Sequence, residues 1–305
     1  MRKNILSILD VKDDIEEIID FAIQLKNDIK NGKSFNYMEN KTMAMIFERA
    51  STRTRVSFEV GMSLLGGHAI FLNKENIEMG KRESIMDIAQ VLSRYVDIIM
   101  YRAINKEDLH ELARYATVPV INGLDRDEHP CQILADLMTI KEHKGKLDNL
   151  NLTFIGDGDD NLTHSYLLGC SLVGMNITVI SPKKYWTKPK FVDKARQIAE
   201  NKNRNVTLTE DITQVKNADV VVTDTWVSLW DENERYQRLK DFKEYQITPE
   251  IMNMAKTDAL FMHCMPIYYG EEVVKEIAHG PQSVILDEAE NRLWAQMALI
   301  IKLVC

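Results

Sequence analysis

The stretch Met43-Ala44-Met45-Ile46-Phe47-Glu48-Arg49-Ala50-Ser51-Thr52-Arg53-Thr54-Arg55 joins an apolar run to a turn that is rich in hydroxyls and arginines. The apolar run predicts a buried strand, and the apolar spacing after Arg55 predicts an amphipathic helix. At a helix N-terminus, backbone N–H groups and the helix dipole favour an anion, and arginine can bind an oxyanion through two parallel hydrogen bonds. A solvated basic turn is the alternative, but three neighbouring hydroxyls favour a phosphate-type site at residues 51–55.

Composition excludes several classes of protein. The chain has 305 residues and a formal net charge of −8, and its sequence contains no block of lysines and arginines, which argues against nucleic acid or a membrane surface as a partner. Its four cysteines lack the spacing of a disulfide framework or a zinc site. No apolar segment approaches the length of a membrane-spanning helix. We therefore expect a cytoplasmic protein without a metal.

Short apolar runs alternate with helix-period segments along the whole chain, and this pattern predicts an α/β protein with parallel sheets. The segment 145–149 is the predicted boundary between two doubly wound domains. The last segment, 289–303, has a helical period and is expected to return to the first domain. Strands are predicted near 43–47, 68–72, 96–101 and 118–121 in the first half, and near 152–155, 176–180, 206–208, 219–223, 259–262 and 283–286 in the second.

Polar residues follow several of these strands, where open α/β sheets bind their ligands. In the first half they are Arg102, Asn122, His129 and Gln132. In the second half they lie in the stretches 156–161, 224–228 and 263–266. The start of the first stretch, Gly-Asp-Gly, is typical of dinucleotide sites, but Asn161 stands where the third glycine of that motif belongs, so we do not expect a nicotinamide cofactor.

The chain contains a series of motifs along nearly its whole length. In order they are Phe47 to Arg55, Leu65-Gly66-Gly67-His68, Tyr101-Arg102, His129-Pro130-Cys131-Gln132-Ile133-Leu134-Ala135-Asp136-Leu137, Asp224-Thr225-Trp226-Val227-Ser228, Phe261-Met262-His263-Cys264-Met265-Pro266 and Glu288-Ala289-Glu290-Asn291-Arg292. Each one alone could occur by chance, but their order and spacing together resemble the carbamoyltransferase family.

The resemblance implies a carbamoyl phosphate-binding domain at 1–145, completed by a final helix at 289–305, and an ornithine-binding domain at 146–288. The activity it implies is transfer of the carbamoyl group to the side-chain amine of ornithine, giving citrulline and phosphate by direct attack, without a cofactor or metal. The implied donor-binding residues are Ser51, Thr52, Arg53, Thr54, Arg102, His129, Gln132, Cys264 and Arg292. Those implied for ornithine are Asn161, Asp224, Ser228 and Leu229, and those for catalysis are Arg102, His129, Asp224 and Cys264.

The resemblance further implies a homotrimer, or a multiple of trimers, with active sites between subunits. It does not distinguish a biosynthetic from a catabolic enzyme. Ornithine's side-chain ammonium must lose a proton before it attacks. Asp224, Cys264 and the phosphate are the candidate acceptors of that proton.

Three positions depart from the pattern of the ornithine enzymes. Ser228-Leu229-Trp230 replaces Ser-Met-Gly, Glu78 replaces glutamine or histidine in a loop that reaches the neighbouring subunit, and Asp159-Asp160 makes the acceptor pocket more acidic. A putrescine-type acceptor therefore stays open as an alternative. An aspartate acceptor is disfavoured, because it would need basic groups in the pocket. A catalytically silent, anion-binding relative is also disfavoured, because the cationic residues Arg53, Arg55, Arg102, His129 and Arg292 are all present.

Overall fold

The computed structural model describes residues 4–73, 77, 80 and 82–305. Contacts within the chain divide it into two compact units. Unit 1 comprises Met1–Met138 and Glu290–Cys305, and unit 2 comprises Thr139–Ala289. Unit 1 is therefore built from the two ends of the sequence. Glu78 lies outside the described residues.

Unit 1 contains a four-stranded sheet in the order β2-β1-β3-β4, with every pair of neighbouring strands parallel. Its helices connect successive strands, as right-handed crossovers in α/β proteins do. In chain order the elements are α1 (Ile15–Lys30), β1 (Thr42–Phe47), α2 (Thr52–Leu64), β2 (His68–Asn73), α3 (Ile85–Tyr95), β3 (Ile98–Arg102), α4 (Lys106–Tyr115), β4 (Val120–Leu124) and α5 (Pro130–Lys144), which continues into unit 2.

The core of unit 1 lies between the sheet and the helices α3 and α4. Ile46 and Ile99 from the sheet pack in one cluster with Ala89, Leu109 and Leu112 from the helices. β1 is a continuous apolar run because both faces of this parallel strand are covered.

Unit 2 contains a five-stranded parallel sheet in the order β7-β6-β5-β8-β9. Together the two sheets confirm the predicted α/β fold with two parallel-sheet units. The elements are β5 (Asn151–Ile155), α6 (Asn161–Leu172), β6 (Asn176–Ile180), α7 (Pro189–Glu200), β7 (Val206–Thr209), β8 (Val220–Val222), α8 (Arg235–Asp241), α9 (Pro249–Met254), β9 (Leu260–Met262), α10 (Lys275–Ala278) and α11 (Ile285–Val304), which continues into unit 1.

The predicted strand at 283–286 is wrong. Ser283 forms only an isolated bridge with Phe261, and α11 already begins at Ile285. The apolar residues of this short segment do not distinguish a strand from a buried helical turn, whereas Asp287 and Glu288 in the first turn favour a helix N-terminus. The first helix begins at Ile15, after a 3-10 turn at Ile8–Val11.

Within the described ranges, we find no helix whose length and apolar character would let it span a membrane.

Candidate active site

In unit 1, the strand register brings three chain segments to one edge of the sheet. Phe47 at the end of β1 pairs with Arg102 at the end of β3, which in turn pairs with Leu124 at the end of β4. The first turn of α2, the Arg102 side chain and the start of α5 therefore follow neighbouring strand ends. This is the edge at which open parallel sheets bind their ligands.

The first turn of α2 has the backbone expected of an anion site. Ser51 is the N-cap residue, with extended φ and ψ of −155° and 107°, and within the described residues its hydroxyl does not cap a helical N–H group. Thr54 is buried, whereas Thr52 and Arg55 are exposed. Arg55 stacks on the Phe71 ring at 3.8 Å and contacts Glu59, so its guanidinium belongs to the outer surface of α2.

Arg292 belongs to one buried network with three other predicted donor-binding residues, Thr54, Arg102 and Gln132. Its Nη2 donates to Thr54 Oγ1 at 3.2 Å, and its Nη1 donates to Gln132 Oε1 at 2.5 Å. Arg102 reaches the same Thr54 hydroxyl from Nη1 at 3.5 Å. All four side chains are at most 9% exposed. Two cations thus converge on one hydroxyl of the α2 turn, which is the charge arrangement that a bound oxyanion requires.

His129 is a neutral imidazole in this setting. It is buried, and Pro130 begins α5 directly after it. Burial, reinforced by the charges of Arg292, Arg102 and Arg53, holds the pKa of His129 well below the usual 6.5. A neutral histidine can donate one ring N–H to a carbonyl oxygen without adding to the positive charge.

In unit 2, polar residues again follow neighbouring strand ends. Phe154 near the end of β5 pairs with Val222 of β8, which pairs with Met262 of β9, so the segments after these strands lie at one edge of the sheet. Asp224 follows β8, and its Oδ1 accepts hydrogen bonds from Thr225 N at 2.7 Å and from Cys264 Sγ at 3.4 Å. The structure therefore brings the two predicted acceptor-side residues Asp224 and Cys264 into contact.

Asn161 is the first residue of α6, and Asp160 is its N-cap. Asp160 accepts from Leu162 N at 2.9 Å and from Asn161 Nδ2 at 3.3 Å. Burial raises the pKa of Asp160 well above its usual value, and the neighbouring carboxylates Asp224 and Asp157 raise it further. Burial also raises the pKa of Asp224, although His263 opposes that shift. The edge of the second sheet is thus rich in buried carboxylates that a cation would stabilise.

Asp159 has a different environment from Asp160. Burial would raise its pKa, but hydrogen bonds from His164 and Lys188 outweigh that effect, and the pKa of Asp159 is lowered. Its two partners lie at 3.1 Å and 3.0 Å. The carboxylate of Asp159 is therefore already held by protein partners, His164 and Lys188.

His263 supports the Cys264 segment. Its Nδ1 accepts from Met265 N at 2.9 Å, so Nε2 carries the proton and contacts the buried Glu272 at 3.1 Å. A ring nitrogen of His263, a carboxylate oxygen of Asp224 and the Sγ atom of Cys264 all lie within 4.8 Å of one another. Because both nitrogens of this imidazole already have protein partners, the histidine orders the backbone around Cys264.

Ser228 and Trp230 lie in a turn that does not need the glycine of the related motif. The Ser228 hydroxyl donates to the Asp231 carboxylate and accepts from Trp230 N at 3.3 Å. Trp230 is not among the described residues with positive φ, so a side chain is tolerated there. Leu229 is 40% exposed.

Sequence reasoning missed Arg238, which stabilises this turn. The Arg238 guanidinium is 7% exposed and contacts Asp157 at 2.5 Å, Asp231 at 3.3 Å and the Trp226 carbonyl at 3.2 Å. It thereby links the segment after β5 to the segment after β8. No local motif marks this arginine, because it follows the strand-end turn and sits in a short polar helix.

Two domain families match the sequence in chain order. Residues 3–142 match the family described as aspartate/ornithine carbamoyltransferase, carbamoyl-P binding domain, and residues 148–303 match aspartate/ornithine carbamoyltransferase, Asp/Orn binding domain. The chain belongs to the aspartate/ornithine carbamoyltransferase family. The resemblance inferred from the motifs is thereby confirmed.

Individual members of this family are similar over the full length. An ornithine carbamoyltransferase of Methanoculleus marisnigri is 47% identical, with 100% of this chain and 97% of the relative covered. A catabolic ornithine carbamoyltransferase of Thermoplasma volcanium is 45% identical, with 99% and 98% covered. The solved ornithine carbamoyltransferase of Pyrococcus furiosus has a TM-score of 0.95 at 43% identity, with 98% and 96% covered.

Proposed function

We propose that this chain is an ornithine carbamoyltransferase, which transfers the carbamoyl group of carbamoyl phosphate to the side-chain amine of L-ornithine. The observation that carries the proposal is the buried convergence of Arg102 and Arg292 on Thr54 at an uncapped helix start. The full-length similarity to ornithine carbamoyltransferases supports the choice of acceptor.

In unit 1, Ser51, Thr52, Arg53 and Thr54 would bind the phosphate, and the remaining donor residues would bind the carbamoyl end. The helix N-terminus offers N–H groups to the phosphate oxygens. Arg102 and His129 would donate to the carbonyl oxygen, where negative charge develops when the amine attacks. One well-placed donor of this kind lowers the barrier by about 3 kcal/mol. Gln132 and Arg292 complete the donor set.

In unit 2, Asn161, Asp224, Ser228 and Leu229 would bind ornithine, and Cys264 would lie beside the reacting amine. The ammonium gives one proton to Asp224, Cys264 or the phosphate, and the free amine then forms a bond to the carbonyl carbon. Collapse of the tetrahedral intermediate breaks the carbon–oxygen bond to phosphate. The electron pair leaves with the phosphate, which also takes the second proton of the attacking nitrogen. The reaction needs orientation and charge neutralisation, which these side chains can supply without a metal or a covalent enzyme intermediate.

The proposal assigns donor binding to residues 1–145 with the final helix 289–305, and acceptor binding to residues 146–288. It also includes assembly into trimers. An exposed apolar surface on unit 1 supports self-association: Val56, Val60 and Leu64 lie along one side of α2. Contiguous apolar surfaces of this kind are typical of protein–protein contacts.

A cytoplasmic location is part of the proposal. All four cysteines belong to the described part of the chain and are thiols rather than disulfides. Burial raises the pKa of the Cys131 thiol to about 12. The thiol therefore stays protonated at neutral pH, and the thiolate form that oxidants attack is rare. Such thiols are typical of a reducing compartment.

The decisive experiment measures the ureido product colorimetrically with carbamoyl phosphate and one acceptor at a time: ornithine, putrescine, lysine or aspartate. We expect kcat/KM to be highest for ornithine. A higher value for putrescine would overturn the acceptor assignment, and the lack of product with every amine would overturn the enzyme assignment. Asp224→Asn should raise KM for ornithine while leaving KM for carbamoyl phosphate within about twofold, because a carboxylate–ammonium contact is lost.

A further inference from the structure

The N-terminal segment of the chain lies along β4, the edge strand of the first sheet. Ile5 forms an isolated parallel bridge with Ile121. In this bridge Ile5 N donates to the Val120 carbonyl at 2.9 Å, and Asn122 N donates to the Ile5 carbonyl at 2.7 Å. Ile5 and Ile8 are both fully buried. The segment therefore extends the sheet by a short stretch and runs toward the turn that follows β4.

The turn between β4 and α5 is held by its own side chains. Asp125 accepts from Glu128 N at 2.8 Å and, through its other oxygen, from Asn122 Nδ2 at 3.1 Å. The Asn122 oxygen accepts from Leu124 N at 2.9 Å. Leu124 has a φ of 138°, a value that residues with a side chain rarely adopt. A strained residue of this kind persists only where its surroundings hold it, so the turn has a defined shape.

Glu128 joins this turn to the N-terminal segment. Its Oε2 accepts from Ile8 N at 3.0 Å, although 120 positions separate the two residues, and it is 8% exposed. The segment before Ile8 is itself ordered, because Asp10 accepts from Leu6 N at 2.8 Å. Asn122 Nδ2 adds a second link by donating to the Leu6 carbonyl at 2.9 Å. The N-terminal segment thus holds the turn at two points.

His129 directly follows Glu128, and its backbone is also held on the other side. The His129 carbonyl accepts from Gln132 N at 3.0 Å and from Ile133 N at 3.2 Å, in the first turn of α5. Pro130, the first residue of α5, restricts the backbone further because its ring fixes φ. Since the helix holds one side of His129, the position of the imidazole depends on what holds the other side, and that is the turn with Glu128.

The chemistry of Glu128 is unfavourable for stability alone. Burial raises its pKa to about 7, and the charges of Asp125 and Asp10 add to the shift. An apolar side chain at this position would avoid the cost of a buried acid. Groups that are costly to the fold are typical of functional sites.

We propose that Glu128 is a positioning residue for the reaction: by accepting the Ile8 N–H, it fixes the turn that carries His129 and so aligns the imidazole with the carbonyl oxygen of the donor. The inference rests on the proposed function, which assigns that oxygen to His129. It goes beyond it because the N-terminal segment, none of whose residues is assigned to a substrate, acquires a part in the reaction.

Two replacements of Glu128 separate the hydrogen bond from the rest of the side chain. Glu128→Gln keeps an oxygen for Ile8 N, whereas Glu128→Met has a similar length and only a weak acceptor. We expect kcat of Glu128→Gln to stay within about twofold of the wild type and kcat of Glu128→Met to fall about tenfold, because misplaced groups lose transition-state stabilisation. KM for both substrates should stay within about threefold. Steady-state kinetics measures these values.

Asp97→Leu is the matched control. Asp97 also accepts a backbone N–H, from Thr42 at 2.9 Å, but at the amino ends of β1 and β3, opposite to the predicted site. Leucine has a similar size and removes that acceptor. This variant should change kcat less than about twofold, and a loss equal to that of Glu128→Met would contradict a specific role for Glu128.

A double-variant cycle with His129 distinguishes positioning from a general structural effect. In the His129→Ala background, Glu128→Met should lower kcat less than about twofold further, because no imidazole is left to align. A general distortion of unit 1 would lower kcat by the same factor in both backgrounds.

Three further results would overturn the inference: equal kcat for Glu128→Met and Glu128→Gln, a tenfold loss that persists in the His129→Ala background, or a failure of Glu128→Met to fold. The last result, which urea unfolding detects, would mean that the contact serves the fold. The proposed function fails separately, when the wild type forms no ureido product.

Discussion

Arg292 Nη2 donates to Thr54 Oγ1 at 3.2 Å although 238 positions separate the two residues in the sequence. One belongs to the first turn of α2 and the other to α11, and both are buried in unit 1. The contact shows why the turn at residues 51–55 is incomplete by itself. Its hydroxyl acquires a second cation only after the end of the chain has folded onto unit 1.

Arg53 and Arg55 are a matched pair for testing the turn. Arg53→Ala should raise KM for carbamoyl phosphate at least 100-fold, because a charge-assisted contact to phosphate is lost. Arg55→Ala should change it less than about threefold, because Arg55 stacks on Phe71 and contacts Glu59. Steady-state kinetics with ornithine in excess measures both. Equal effects would contradict the role assigned to Arg53.

His129 should act as an uncharged donor. His129→Gln retains a neutral N–H group and should lower kcat about tenfold, whereas His129→Ala should lower it about 100-fold or more. Since the pKa of His129 lies well below 6.5, its titration should add no inflection to kcat between pH 7 and 8. A histidine-type inflection in that range that disappears in His129→Gln would show that the imidazole is charged.

Glu128, directly before His129, should make stability depend on pH. Burial raises its pKa from 4.5 to about 7, and Asp125 and Asp10 contribute, although hydrogen bonds from Ser7 and Ile8 N oppose the shift. An acid whose pKa is raised on folding stabilises the protein at low pH, and this stability is lost as the pH rises from 4.5 through 7. The difference of about 2.5 pKa units corresponds to about 3 kcal/mol.

Glu128→Gln should remove that loss. Glutamine keeps an oxygen for Ile8 N, which donates to Glu128 Oε2 at 3.0 Å. Urea unfolding at pH 5 and pH 8 should therefore show a smaller fall in the free energy of unfolding for the variant than for the wild type. If both proteins lose the same free energy between these pH values, Glu128 is not responsible.

Arg238 should be a major stabilising residue of unit 2. Arg238→Ala leaves Asp157 and Asp231 without their common cation and should cost about 3 to 5 kcal/mol, as is usual when one partner of a buried ion pair is removed. Replacing Asp157 by Asn in the same variant should recover part of that loss. Chemical denaturation measures both, and a double variant no more stable than Arg238→Ala would mean that the arginine acts by packing alone.

The strands were predictable where the pattern is local. The apolar run 43–47 and the hydroxyl-rich turn after it predict β1 and the start of α2 correctly. The prediction of a strand at 283–286 was wrong because four residues are too few to distinguish the period of a strand from that of a helix. The structure replaces this strand with the first turn of α11.

Residues that act through distant contacts could not be found in the same way. Arg238 meets Asp157 across 81 positions, and Gln132 meets Arg292 across 160. Nothing in their local sequence predicts these partners, because only the folded sheets bring them together. The family resemblance identified Gln132 and Arg292, but the hydrogen bond from Gln132 Nε2 to Asp136 Oδ1 at 2.7 Å is known only from the structure.

The division of unit 1 between the two ends of the chain has a consequence for biosynthesis. A ribosome synthesises residues 1–138 and the whole of unit 2 before it adds Glu290 and Arg292. During translation the buried cation network around Thr54 therefore cannot close until the final helix emerges. A nascent chain should acquire carbamoyl phosphate affinity in one late step, and a separately expressed 1–145 fragment should lack it.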